Sequence, residues 1–137
     1  MQKILDLREF EQHQAEAELG KANAELAKIQ NSLKELAAQK ISAIRECDGL
    51  TSDFYAKTQS QFYINFLNQK QEELLQELAQ AQLIVDKKRK IVGEAMKKVK
   101  VLEKLKETKF KKWKKEIEKE EELAAEDISA SMFSYKN

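Results

Sequence analysis

The sequence predicts an all-α fold: an elongated antiparallel two-helix coiled-coil hairpin whose longer second helix overhangs at the C-terminus. Three observations carry that expectation. There is no proline and only three glycines in 137 residues, so almost nothing interrupts a helix. A charged fraction of 36% beside an apolar fraction of 42% is too polar for a thick globular core and fits a long helical seam. Apolar or small residues return at alternating steps of three and four in both halves of the chain, the period of helices that lie against each other.

Helix one is expected over about residues 2–47. Its seam reads Leu19, Ala22, Leu26, Ile29, Leu33 and Leu36, and the apolar row then drifts to Ala37, Ile41 and Ile44. An extra four-residue step of that kind is a stutter, which locally unwinds a supercoil. Before Leu19 the row thins to Leu5, Arg8, Gln12 and Ala15, so the first turns pack less well. Ile4, Leu7 and Phe10 make a second apolar strip, either core in an assembled state or the frayed end of a helix.

A turn over about residues 48–52 follows. Gly49 suits the left-handed conformation that closes a helix, and Asp48 supports a turn. Thr51 or Ser52 is the expected N-cap of helix two, with Asp53 near its positive end. So short a connection favours an antiparallel hairpin.

Helix two is expected over about residues 53–130, with a second break within 57–60 as one option because Thr58, Gln59 and Ser60 are indifferent helix formers. Its seam is Leu74, Leu78, Ala81, Val85, Val92, Ala95, Val99 and Leu102. The whole chain, 1–137, reads as a single hairpin. At about 1.5 Å per residue helix one reaches ~70 Å and helix two well over 100 Å. Folding at Gly49 sets Leu36 opposite Ile64, Leu19 opposite Ala81 and Leu5 opposite Ala95. Helix one is then exhausted, and Leu102, Leu105, Phe110, Trp113, Ile117 and Leu123 lie beyond it.

Composition also excludes. The formal net charge of +1 gives no global pull toward nucleic acid or anionic lipid. The single Cys47 has no partner for a disulfide or a metal site, which suits a reducing compartment. No run of about 18 apolar residues and no signal-peptide core occur, so a soluble cytoplasmic protein is expected. His13, the one histidine, sits among Gln and Glu without an acid or cysteine spaced to serve it, as a solvated surface residue does. There is no glycine-rich phosphate loop and no concave scaffold for a pocket. The expectation is a protein that is not an enzyme and carries no cofactor or metal.

Two stretches point to docking. Phe54, Tyr55, Phe62, Tyr63 and Phe66 gather half of the chain's aromatics within thirteen residues just past the turn. About two of every seven positions face the partner in a two-helix seam, so the seam cannot absorb all five. They are either a plug sealing the hairpin tip or an exposed docking patch, with Phe62, Tyr63 and Phe66 its centre. Residues 97–119 carry eleven lysines against Glu103, Glu107, Glu116 and Glu118, and no arginine. One reading is a solvated face laced with pairs such as Glu103–Lys106 and Glu116–Lys119. The other is a cationic helix entering an acidic protein cavity. Glu120, Glu121, Glu122, Glu126 and Asp127 then reverse the charge, a sign change that supplies electrostatic register. Nucleic-acid binding through these lysines is the least favoured reading, since arginine and a stacking surface are missing.

Gln2-Lys3-Ile4-Leu5-Asp6-Leu7-Arg8, the Gly49-Leu50-Thr51-Ser52 turn and Val101-Leu102-Glu103-Lys104-Leu105-Lys106 followed by Lys109 resemble the flagellar export protein FliJ family. The acidic ending from Glu120 to Asp127-Ile128 is similar to that family's C-terminal signature. Nearly the whole chain is covered in length and order. Family members often place an arginine shortly after the acidic stretch, whereas 129–135 has none, and the last ten residues take no role from the likeness.

The resemblance implies a coiled coil like the γ stalk of rotary ATP synthases, a non-enzymatic component of flagellar type III export. Its terminal region would enter the central hole of a hexameric export ATPase and promote the ring's assembly or turnover. It would also contact the membrane export-gate protein and handle export chaperones, associating peripherally with the inner-membrane export apparatus. On this reading Leu102, Leu105, Lys109, Phe110, Lys112, Trp113 and Ile117 form the ATPase-docking overhang, and Phe62, Tyr63 and Phe66 the export-gate patch. The chain alone is expected to be a monomer. The alternative is a structural coiled coil that homodimerises through the overhang.

Overall fold

A computed structural model describes residues 1–50 and 53–136, with side chains through Ser134. Two helices account for almost all of it: α1 (Gln2–Gly49, 48 residues) and α2 (Phe54–Lys136, 83 residues). They form a two-helix hairpin. α1 ends at Gly49 and α2 starts at Phe54, where ends near 47 and 53 were expected, and α2 continues past residue 130 to Lys136.

The connection differs in detail from the sequence expectation. No described glycine has positive φ, so Gly49 does not take the left-handed conformation. It stays helical, and the Leu50 amide donates to the Cys47 carbonyl at 3.2 Å. That tighter, three-residue bond is another way to satisfy a terminal carbonyl. At the start of α2 the cap is Asp53: its Oδ1 accepts from the Ala56 amide at 3.2 Å, and its carbonyl accepts from the Lys57 amide at 3.0 Å. Such a cap is worth about 0.5–2 kcal/mol, and the carboxylate also meets the positive helix end. The expected caps, Thr51 and Ser52, lie outside the described residues. No break occurs within 57–60. The Thr58 hydroxyl donates to the Phe54 carbonyl at 2.8 Å within the unbroken helix.

Contacts gather into two compact units, His13–Glu94 and Met1–Gln12 with Ala95–Asn137. In the first, α1 presents Ala15, Leu19, Ala22, Leu26, Ile29, Leu33, Leu36, Lys40, Ala43 and Cys47 as buried or half-buried positions. α2 answers with Ile64, Leu67, Gln71, Leu74, Leu78, Ala81, Val85, Lys88 and Val92. Steps of three and four alternate without exception on both sides. The anticipated stutter is therefore absent: Ile41 and Ile44 are exposed, while Ala43 and Cys47 are buried. The row keeps its period by accepting a polar layer, in which Lys40 Nζ donates to Gln71 Oε1 at 3.2 Å. The lysine's aliphatic stem can cover apolar surface while its head finds the amide oxygen.

The core of this unit near the connection joins Leu36, Ala43, Cys47, Ile64 and Leu67, with Leu74 packed against it. Val85 is fully buried, at 0% exposure. Burying a side chain of this size contributes about 1.5–3 kcal/mol each.

The pairing register is also corrected. Glu18 reaches Lys88, at 4.0 Å, rather than the neighbourhood of Ala81. In the second unit Gln2 Oε1 accepts from Lys106 Nζ, further along α2 than the residues near 98 that pairing Leu5 with Ala95 would set opposite it. Lys40 likewise meets Gln71, later in α2 than a fold at Gly49 would give. The second unit carries the same antiparallel seam. Leu5, Ala95 and Val99 are buried and Arg8, Gln12 and Leu102 half-buried.

Candidate docking surfaces

Just past the connection, Phe54, Tyr55, Phe62, Tyr63 and Phe66 are all exposed, from 86% at Phe54 down to 49% at Tyr63. The reason is helical phase. Ile64 and Leu67 occupy the seam, which turns Phe62, Tyr63 and Phe66 to the sides and back of α2. They do not seal the tip; Cys47 and Ala43 do so with Ile64 and Leu67. Phe54 and Phe62 border a shallow groove that reaches Cys47, with Lys57 and Gln61 on its rim. The Lys70 ammonium lies 5.8 Å from the centroid of the Phe66 ring, a cation–π contact that leaves the ring accessible.

This exposure fixes the stability of variants. Phe62→Ala combined with Phe66→Ala should shift the melting temperature by no more than about a degree or two, since surface substitutions usually stay within ~0.5 kcal/mol. Thermal unfolding followed by circular dichroism checks it. A fall matching ~3–5 kcal/mol per ring would show them to be core after all.

The second surface is the C-terminal part of α2. From Glu103 to Ser134, Ile117 is half-buried and every other described side chain is exposed. Leu105, Phe110, Trp113 and Leu123 are each about half exposed or more, with Trp113 at 56%. The Phe110 and Trp113 rings face each other at 5.9 Å between centroids and 36° between planes, a tilted aromatic pair one turn apart. Lysines flank it, and Glu107 pairs with Lys111 at 3.1 Å. That is the i,i+4 pair formed here, in place of the expected Glu103–Lys106 and Glu116–Lys119 contacts. Lys106 turns instead to Gln2.

One residue of this expected surface is misplaced. Leu102 does not lie beyond α1: it is half-buried and lines a groove with Ile4 and Arg8. The later register carries α1 past it. Leu105, Lys109, Phe110, Lys112 and Trp113 are exposed and Ile117 is half-buried, and the uncovered segment begins after Lys106. Ile4, Leu7 and Phe10 are exposed.

His13 does have an acid near it, contrary to expectation, since its Nδ1 is 3.5 Å from Glu16 Oε2. Both side chains are well exposed, a surface contact of one helical turn. Among the described residues no group of His, Cys, Asp or Glu is arranged to hold a metal ion. Cys47 is a free, buried thiol. Among the same residues no helix is long and apolar enough to cross a membrane.

Comparison with the curated proteins and with the solved structures returns no match. A protein-family model described as "Flagellar FliJ protein" matches residues 1–137, the whole chain. With two long helices packed as a hairpin, as the likeness noted in the sequence implies, the chain belongs to the flagellar FliJ protein family.

Proposed function

We propose that this protein, as a component of the flagellar export apparatus, is the stalk-like partner and activator of a hexameric export ATPase and has no enzymatic activity of its own. The observation that carries the reading is the segment of α2 after Lys106. It projects Phe110, Trp113 and Ile117 among Lys109, Lys111, Lys112, Lys114 and Lys115, with no part of α1 to cover them. An amphipathic helix of this composition suits a socket with apolar walls and an acidic mouth. The lysines would mainly speed encounter, while the aromatic pair supplies buried contact. Phe62, Tyr63 and Phe66 are the surface we assign to the export-gate membrane protein. Their exposure leaves them free while the other end of α2 is engaged. Export chaperones are further partners implied by the family. The dilute chain is a monomer on this reading, held at the inner-membrane apparatus through its protein contacts, and nucleic acid is not a partner.

Truncation after Lys106 tests it. The shortened chain keeps every α2 residue that faces α1, so its helicity per residue and its melting temperature should match the full chain. It should no longer stimulate the hydrolysis of ATP by the purified export ATPase. Equal stimulation by the two chains would rule the stalk reading out.

A further inference from the structure

The uncovered segment of α2 carries a pattern that the stalk reading does not use. Phe110, Trp113, Ile117, Glu121, Ala124 and Ile128 follow one another at steps of three, four, four, three and four. Such an eleven-residue repeat keeps one stripe on one face of a nearly straight helix. From Phe110 to Ala124 the spacing is symmetric about Ile117: Trp113 and Glu121 lie four residues to either side, Phe110 and Ala124 seven. A stripe that reads the same in both directions is self-complementary under a two-fold axis through its centre.

Charge follows the same symmetry with opposite sign. On the N-terminal side of Ile117 lie Lys109, Lys111, Lys112, Lys114 and Lys115; on the C-terminal side lie Glu118, Glu120, Glu121, Glu122, Glu126 and Asp127. Two such helices in parallel would set lysine on lysine and glutamate on glutamate. Antiparallel, the basic block of each lies on the acidic block of the other. The described side chains of this stretch are exposed apart from half-buried Ile117, so the surface is free to pair.

We infer that the C-terminal segments of two copies of this chain pair antiparallel about Ile117, forming a weak homodimer. In it Ile117 meets Ile117 of the second copy, and Phe110 packs over the small Ala124 of the second copy. The Trp113 indole N–H lies where it can donate to Glu121 of the second copy. Helical phase puts Lys114 on the same side as Glu118 of the second copy, and Lys109 on the same side as its Asp127. One helix pair of this length buries less than the roughly 1,200 Å² typical of stable complexes, so the dimer is transient and concentration-dependent. It also covers the aromatic pair, which makes self-pairing and socket entry mutually exclusive.

The test uses the full chain alone, with no ATPase present, so its outcome is independent of the stalk reading. Sedimentation equilibrium should show the average mass rising from one chain toward two between micromolar and millimolar protein. Trp113→Ala, or reversal of Lys109 and Lys114 to Glu, should weaken association at least tenfold. Adding Glu118→Lys and Asp127→Lys to the Lys-reversed chain should restore it. Disulfide trapping in a Cys47→Ser background fixes the direction. Ile117→Cys should cross-link with itself, and Phe110→Cys should cross-link with Ala124→Cys but not with itself. Back-face Glu126→Cys should not cross-link. A mass that stays at one chain up to millimolar concentration overturns the proposal. So does self-linking of Phe110→Cys, which would mean parallel pairing, or cross-linking of Glu126→Cys as efficient as that of Ile117→Cys.

Discussion

Leu67→Ala should destabilise the hairpin by about 2–5 kcal/mol, a large part of the stability of a chain this size. Leu67 is 2% exposed and lies in the cluster that joins Leu36, Ala43 and Cys47 of α1 to Ile64 of α2. Truncation removes its transfer free energy and leaves a void between two helices that have no third layer to collapse inward. The effect should be concentrated near the connection. Amide exchange over α1 residues 36–47 should quicken, while the stretch of α2 beyond Lys106, which does not depend on this cluster, should exchange as before. Urea unfolding gives the free energy. A loss below ~1 kcal/mol would mean that the two helices repack freely and that the cluster does not hold the tip closed.

Trp113→Ala should separate folding from binding. Trp113 is 56% exposed and touches chiefly Phe110, one turn away on the same helix. Its removal should leave the melting temperature of the free chain within about a degree. On the stalk reading the indole fills an apolar site in the ATPase ring. The expected loss is then about 2 kcal/mol or more, roughly a thirtyfold weaker complex. The loss should appear mainly as faster dissociation. Salt should act on the other rate: raising ionic strength screens Lys109, Lys112 and their neighbours and slows association. Surface plasmon resonance against the immobilised ATPase resolves both. Unchanged dissociation in the variant, together with salt-independent association, would mean that this segment is not what the ATPase grips.

The two surfaces assigned here are independent in that they draw on different stretches of α2. Phe62, Tyr63 and Phe66 belong to one compact unit, and Phe110, Trp113 and Ile117 to the other. A double variant that removes both should lose the two partners additively, as expected of sites that share no contacts.

The repeat of three and four fixed both helices and most of the seam from the sequence alone, because burial in a two-helix hairpin has one periodicity and little else to satisfy. Leu74, Leu78, Ala81, Val85, Val92, Ala95 and Val99 are buried or half-buried as their spacing requires. The absence of proline settled continuity. The uncovered end was legible from length, since a helix of 48 residues cannot face all of one of 83. What remained for the tertiary structure was the choice among chemically similar rows and the exact offset of the partners. Ile41 and Ile44 are more apolar than Lys40 and Ala43, so hydropathy favoured the drifting row. The strict row is the one formed: Ala43 and Cys47 pack with Ile64 and Leu67 of the opposite helix, which also supplies Lys40 with the Gln71 side-chain oxygen. The offset of the partners needed the structure in the same way. Glu18 meets Lys88, Lys40 meets Gln71 and Leu102 lines a groove with Ile4 and Arg8, each later in α2 than a tight fold at Gly49 would give. Local sequence specifies how often a helix meets its partner, whereas the packing of one helix on the other specifies where.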